Sequence, residues 1–130
     1  MQQIERLEII TNSLARASSE KKEIIMAGDF NLDMKRWDNE DYGELKKIAD
    51  VWRNAVSNNG LLYEDLGITY AHLNGQTKSA LDHIYFSSKI AENCRKLSKG
   101  FSDHFPVMVD LNVSKSSPPT TDKFILKRSL

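Results

Sequence analysis

The apolar positions of this chain change period several times, and each change marks an element. From residue 2 to residue 18, Ile4, Leu7, Ile10 and Leu14 recur at steps of three and four, with Glu5, Arg6, Asn12 and Arg16 falling elsewhere. That spacing predicts an amphipathic helix, ended by Ser18, Ser19 and Glu20. Ile24, Ile25, Met26 and Ala27 then form an unbroken apolar run between charged residues and Gly28. It predicts a short, fully buried strand, since the β-branched isoleucine pair favours strand over helix. After the polar stretch LDMKRWDNEDYG, a second stripe comprises Tyr42, Leu45, Ile48, Ala49, Trp52, Ala55 and Val56. It predicts a helix from about Tyr42 to Ser57, stopped in left-handed geometry by Asn58-Asn59-Gly60. Leu61 and Leu62 are expected to enter the core.

The period then shortens. Thr69-Tyr70-Ala71-His72 reads as a strand, and Asn74-Gly75 is a hairpin turn signal. Residues 79–87, SALDHIYFS, read as the return strand. Residues 88–99 are ambiguous, because Ile90, Cys94 and Leu97 suit either a helical turn or loose packing over an edge. Phe105, Val107, Val109, Leu111 and Val113 then alternate with Pro106, Met108, Asp110 and Asn112. This is a period-two strand with one face buried, and Pro106 is tolerated near its start.

Helix, short loop and apolar strand, followed by further strands, make the chain α/β. One domain is expected over residues 1–113, with 114–130 as a tail: SKSSPPTTDK has the Ser, Thr, Pro and Lys content of a flexible linker. With 18 basic and 18 acidic residues the net charge is zero, so composition lends no support to nucleic-acid binding, although a local patch would suffice. The single cysteine, Cys94, excludes an internal disulfide framework and a multi-cysteine zinc site. It fits a reducing compartment. The polar N-terminal residues are unlike a secretory signal, and no apolar run reaches the ~18 residues of a membrane span. An intracellular protein, nuclear or cytoplasmic, is the expectation.

Three short polar motifs stand at or beside the predicted strands: Gly28-Asp29-Phe30-Asn31, Ala80-Leu81-Asp82-His83-Ile84, and Ser102-Asp103-His104-Phe105-Pro106-Val107. Each alone is compatible with ordinary turn chemistry. Asp82, however, interrupts an apolar strand, where a carboxylate is disfavoured unless something holds it. Together the residue types suit phosphoester hydrolysis. A carboxylate orients or deprotonates water, a carboxamide meets a phosphate oxygen or a metal, and a histidine held by a carboxylate stabilises developing charge. Oxygen-rich sites suit magnesium or manganese. His83 adjoins Asp82 and so points to the opposite face. His72 is expected at the surface, Trp52 in the core, and Trp37 in a structural role with substrate contact as the lesser alternative.

GDFN, a Ser-x-Leu-Asp-x-Ile strand and SDH-x-PV, in that order, resemble the endonuclease/exonuclease/phosphatase superfamily, whose members include DNase I-like enzymes. The closest likeness within it is to the endonuclease domain that precedes reverse transcriptase in non-LTR retrotransposons. The resemblance implies a metal-dependent phosphodiester hydrolase that nicks DNA. By the same resemblance, Asp29 activates water, Asn31 holds the scissile phosphate or a metal, and Asp103 contributes to a divalent metal site with Asp29 and Asn31. His104 stabilises the phosphate in the transition state, and Asp82 orients His104.

The resemblance covers residues 2–113 and implies the C-terminal half of a four-layered α/β sandwich. That family's earlier strands supply an Asn and a metal-binding Glu, and Glu5, Glu8, Glu20 and Glu23, in the first helix or the loop after it, are not credible substitutes. Mg2+ or Mn2+ is therefore expected to bind weakly, nicking to be impaired in a truncated domain, and the open sheet face to seek a missing N-terminal half, a partner chain or a second copy. A lipid or small-molecule phosphoesterase of the same superfamily, and a non-catalytic interaction module, are the alternatives.

Overall fold

The computed structural model describes residues 2–72 and 75–112, with side chains from Glu5 onward. The predicted 114–130 tail, Asn74 of the hairpin turn and Val113 lie outside the described residues. Both predicted helices form, as α1 (Gln2–Ser19) and α2 (Glu44–Asn58). A 3-10 turn at Glu40–Tyr42 leads into α2 and buries Tyr42. Ala49, Trp52 and Val56 are the buried line of α2, spaced as its apolar stripe requires. Gly60, at φ 68°, supplies the left-handed step after its end.

The strands are β1 (Ile25–Asp29), β2 (Leu61–Tyr63), β3 (Tyr70–Ala71), β4 (Lys78–Ser79), β5 (Asp82–Ser87), β6 (Ala91–Lys96) and β7 (Val107–Leu111). They make three antiparallel sheets, ordered β1-β5-β2, β3-β4 and β6-β7. Because successive strand residues face opposite ways, β5 divides the interior in two. Tyr85 on one face joins Leu7, Leu14, Ala49, Trp52, Val56 and Leu61 beneath the helices. Ile84 and Phe86 on the other pack with Ala91, Cys94, Val107 and Val109 of β6-β7. The result is a helix layer, a central sheet and a second sheet, consistent with part of the expected sandwich.

Several expectations change. β1 is not fully buried: it is an edge strand, and Ala27 is exposed. Hydrogen bonds at Ser87–Ile24 and Phe30–Leu81 bracket its ladder with β5. By antiparallel alternation, the backbone groups of Ile25, Ala27 and Asp29 therefore face outward, where no strand lies among the described residues. The stretch 79–87 is two strands rather than one. Lys78–Ser79 returns against β3, and the chain then turns at Ala80-Leu81 to become the centre of another sheet. The backbone groups of that corner bond Phe30 and Met34 instead of continuing the hairpin.

Residues 91–96 form a strand, not a helical turn, with a bulge between Glu92 and Cys94 that brings Ala91 and Cys94 both inward. Leu62 faces solvent because only Leu61 alternates inward. On β7, Val107 and Val109 are half-buried and Leu111 is 41% exposed, so the period-two strand hides its apolar face only in part. Trp37 is buried, its ring edge-on to Tyr63 and His83 and covered by the Arg53 guanidinium. Its role is structural, not substrate contact.

Candidate active site

Register places the first two motifs against each other. Asp29, last in β1, lies directly opposite Asp82, first in β5, and alternation puts both on the face toward β6-β7. Like charges paired across strands repel, so this pair needs a third group. His104 supplies it. Its Nδ1 is 2.8 Å from Asp82 Oδ2 and its Nε2 is 3.8 Å from Asp29 Oδ2. The first is a hydrogen bond in which Nδ1–H donates to the carboxylate; the second is an ion-pair distance when the ring is protonated. Asp82 is the most enclosed of the three side chains and His104 the most open, and the Nε2 edge of the imidazole is the one turned toward Asp29.

Strand β3 delivers the histidine. Tyr70 bridges to His104, the Ala71 N–H donates to Asp103 O at 2.8 Å, and the Phe105 N–H donates to Thr69 O at 2.7 Å. The Tyr70 ring packs against the imidazole with 5.0 Å between centroids. Thr69 ties all three segments together. It is fully buried, its Oγ1 accepts the Asp82 N–H at 2.9 Å, and its own N–H donates to Ser79 O. In the sequence the Thr69-Tyr70 strand stands out only as the strand between the motifs, and nothing local marks the Thr69 hydroxyl as a partner of Asp82.

The GDFN turn is built by alternation and by two unusual dihedrals. Gly28 has φ 153°, a value side chains disfavour, although a Cβ there would meet nothing within 4 Å. Asn31 takes φ 54°, which asparagine tolerates. Asp29 Oδ1 accepts the Asn31 N–H at 2.9 Å, leaving Oδ2 toward His104. Phe30 roots the turn on the helix side, stacked on His83 at 5.1 Å and on Trp52 at 5.5 Å. Asp33 then fastens the loop to the far motif. It is buried, and its Oδ1 accepts the N–H groups of Lys35 and Ala80 at 3.0 and 2.9 Å. Asp33 was also missed, since Asn-Leu-Asp reads as simple turn chemistry.

The structure therefore brings Asp29, Asp82 and His104 together. Asn31 stands exposed beside them, tied by its backbone to Asp29. Asp103 is half-buried next to His104, with its carbonyl engaged by β3. Among the described residues no group of three or more His, Cys, Asp or Glu side chains has the geometry to hold a metal ion. Magnesium ordinarily retains waters and leans on one or two carboxylates plus substrate phosphate, so it does not require a cluster of three protein carboxylates.

His83 does face away from the pair. It is fully buried, with Nε2–H donating to Leu32 O at 2.8 Å and Nδ1 accepting the Tyr85 hydroxyl at 2.7 Å. Both contacts suit the neutral ring. Burial pulls its pKa below the ordinary histidine value, opposed by the Ala80 and Leu32 carbonyls. The unfolded chain takes up a proton below about pH 6.5 that the folded chain refuses. His83 thus contributes stability that is fully present above that pH and declines as pH falls, by up to ~1.4 kcal/mol per unit. Urea unfolding at pH 7.5 and pH 5.5 checks this: the midpoint drops in the wild type, and a pH-independent midpoint would rule out the neutral buried ring.

No helix among the described residues is long and apolar enough to cross a membrane. No curated protein and no solved structure matches the chain. The family model described as endonuclease-reverse transcriptase matches residues 2–108, a span that contains all three motifs and every member of the Asp29–His104–Asp82 cluster. The chain belongs to that endonuclease-reverse transcriptase family, the retrotransposon-type branch of the endonuclease/exonuclease/phosphatase superfamily.

Proposed function

We propose that this chain carries the water-activating and charge-stabilising part of a phosphodiester hydrolase that nicks DNA. The observation that carries the reading is the imidazole of His104 lying between the opposed carboxylates of Asp29 and Asp82. Asp82 holds Nδ1–H, so Nε2 is the edge offered to substrate. A protonated ring there donates to a phosphate oxygen as negative charge grows on it. Asp29 lies across the gap with Oδ2 free of backbone bonds, placed to orient or deprotonate the attacking water. Asn31, at the tip of the turn, meets the phosphate from the solvent side. The superfamily typically uses a divalent ion as counter-charge for the phosphate. Asp103, Asp29 and Asn31 would be the residues that offer such an ion oxygen, with water and substrate phosphate completing its shell.

The outward backbone groups of β1 belong to the same reading. An edge of this kind takes up a further strand, and one from another polypeptide segment would end beside Asp29. Nicking by the isolated chain is accordingly expected to be weak.

Supercoiled plasmid with Mg2+ or Mn2+, run beside inositol phosphates and sphingomyelin, tests the proposal. Slow nicking that Asp29→Ala abolishes, with no release of phosphate or phosphocholine, supports it. Turnover of the lipid or inositol substrates with intact plasmid would move the chain to the phosphoesterase alternative. No turnover of any of them, even at high protein concentration, would leave the interaction module.

A further inference from the structure

Phe101 stands at 108% relative exposure, beyond every other large apolar side chain among the described residues. A single exposed apolar residue is commonplace, but this one is not on a loose end. The loop between β6 and β7 is closed at its base by the Leu97 N–H donating to Pro106 O at 2.8 Å. It is pinned to β3 from both sides: Lys99 Nζ donates to Ala71 O at 3.1 Å, and Asp103 O accepts the Ala71 N–H. The Ser102 hydroxyl accepts the His104 N–H at 3.1 Å, which tightens the turn between the phenyl ring and the imidazole. The loop thus presents an aromatic ring to water from an anchored frame.

Its surroundings are basic. Lys96 sits over the Phe105 ring and donates to Ile68 O, before β3, and Lys99 donates to Ala71 O at its end. Neither makes an ion pair with a carboxylate among the described residues, whereas Arg95 is neutralised by Asp110. The ring and both lysines therefore belong to the one segment that leads into His104, which also carries Asp103. An apolar ring flanked by cations fits a strand of nucleic acid, whose bases stack on aromatic faces while its phosphates meet the lysines. Leu97 and Met108 of the same hairpin are exposed too, but only to 41% and 37%, so Phe101 alone stands fully clear as a stacking face.

We propose that Phe101 stacks on a nucleobase close to the scissile phosphate, so that the preferred substrate is DNA with an unstacked or unpaired base at that point. Phe101 stands three positions before His104, a reach of at most ~11 Å. At ~3.4 Å per nucleotide in a stacked strand, the contacted base lies within about three nucleotides of the phosphate. The proposal rests on the phosphodiesterase reading for the place of the phosphate, but the stacking contact is a binding property and is measured without hydrolysis.

Binding of a fluorescein-labelled single-stranded oligonucleotide is followed by anisotropy in EDTA, beside an abasic oligonucleotide of equal length. Phe101→Ala is expected to weaken binding of the normal strand roughly 5- to 100-fold while leaving the abasic strand unchanged. Phe101→Tyr restores the affinity and Phe101→Leu does not, which separates a π-face from mere bulk. Equal affinities of wild type and Phe101→Ala for the normal strand would overturn the proposal. So would an equal loss on both strands, or Phe101-dependent capture by phosphatidylserine vesicles without DNA discrimination. If the oligonucleotide contrast holds while plasmid nicking fails, the hydrolase reading falls and the stacking contact stands.

Discussion

His104→Ala is expected to reduce the kcat for plasmid nicking by about 10²- to 10⁴-fold, the range for loss of a positioned proton-transfer group, with a much smaller effect on KM. The magnitude follows from the position of the ring. Its Nδ1 is held by Asp82 at 2.8 Å, so the side chain is fixed before substrate arrives, and its open edge acts only once charge builds on the phosphate. Asp82→Asn tests the same arrangement from behind. An amide keeps the shape but no longer stabilises the imidazolium, so activity falls by less than in His104→Ala, and the double variant is no worse than His104→Ala alone. The truncation has a second consequence. Removing the imidazole leaves Asp29 and Asp82 opposite each other across the β1–β5 ladder without a bridge, and paired like charges are destabilising there. His104→Ala should therefore unfold at lower urea than wild type near neutral pH, and adding Asp82→Asn should recover part of that loss. A His104→Ala variant that nicks at the wild-type rate would remove His104 from the chemistry.

Motif order made this cluster legible before any geometry. Asp29, Asp82 and His104 are polar residues placed where apolar strands end or break, and that conflict with local pattern is visible in one dimension. What holds them was not. Thr69 looks like any β-branched strand residue, yet its hydroxyl, N–H and carbonyl each bind a different segment. Those bonds depend on the strands meeting, which no local spacing encodes. The same limit explains the stretch 79–87. It carries no turn signal, but Asp33 and Met34 bond the N–H and carbonyl of Ala80, and the chain there passes from one sheet into another. The apolar run at 24–27 read as buried because hydrophobicity reports the preference of the residues. Whether a neighbouring strand satisfies it at β1 is a property of the assembled sheet.

The largest stability effect is expected at Trp52. Trp52→Ala should cost about 3–5 kcal/mol, the usual range for a buried tryptophan, a substantial share of the ~5–15 kcal/mol that holds a typical domain. The side chain is 1% exposed and stands where the helix layer meets the central sheet. Its ring is stacked on Phe30 at 5.5 Å and edge-on to Tyr85 at 5.3 Å. Truncation opens a void under both, and helix packing from α1 and α2 cannot close it without moving Leu7 or Ala49. Phe30 is the residue between Asp29 and Asn31, so the same void loosens the GDFN turn from below. Nicking by the folded fraction should then fall as well, although Trp52 lies on the opposite side of the sheet from His104. Val51→Ala provides the control: it is the neighbouring helix position, 66% exposed, and a change there should stay within ~0.5 kcal/mol. Urea unfolding followed by far-UV circular dichroism reads both. With slopes of ~1–3 kcal/mol per molar urea, Trp52→Ala should lower the midpoint by about 1 M or more. A shift no larger than that of Val51→Ala would mean that the two layers are not joined through this ring, and that the site is supported by β3 alone.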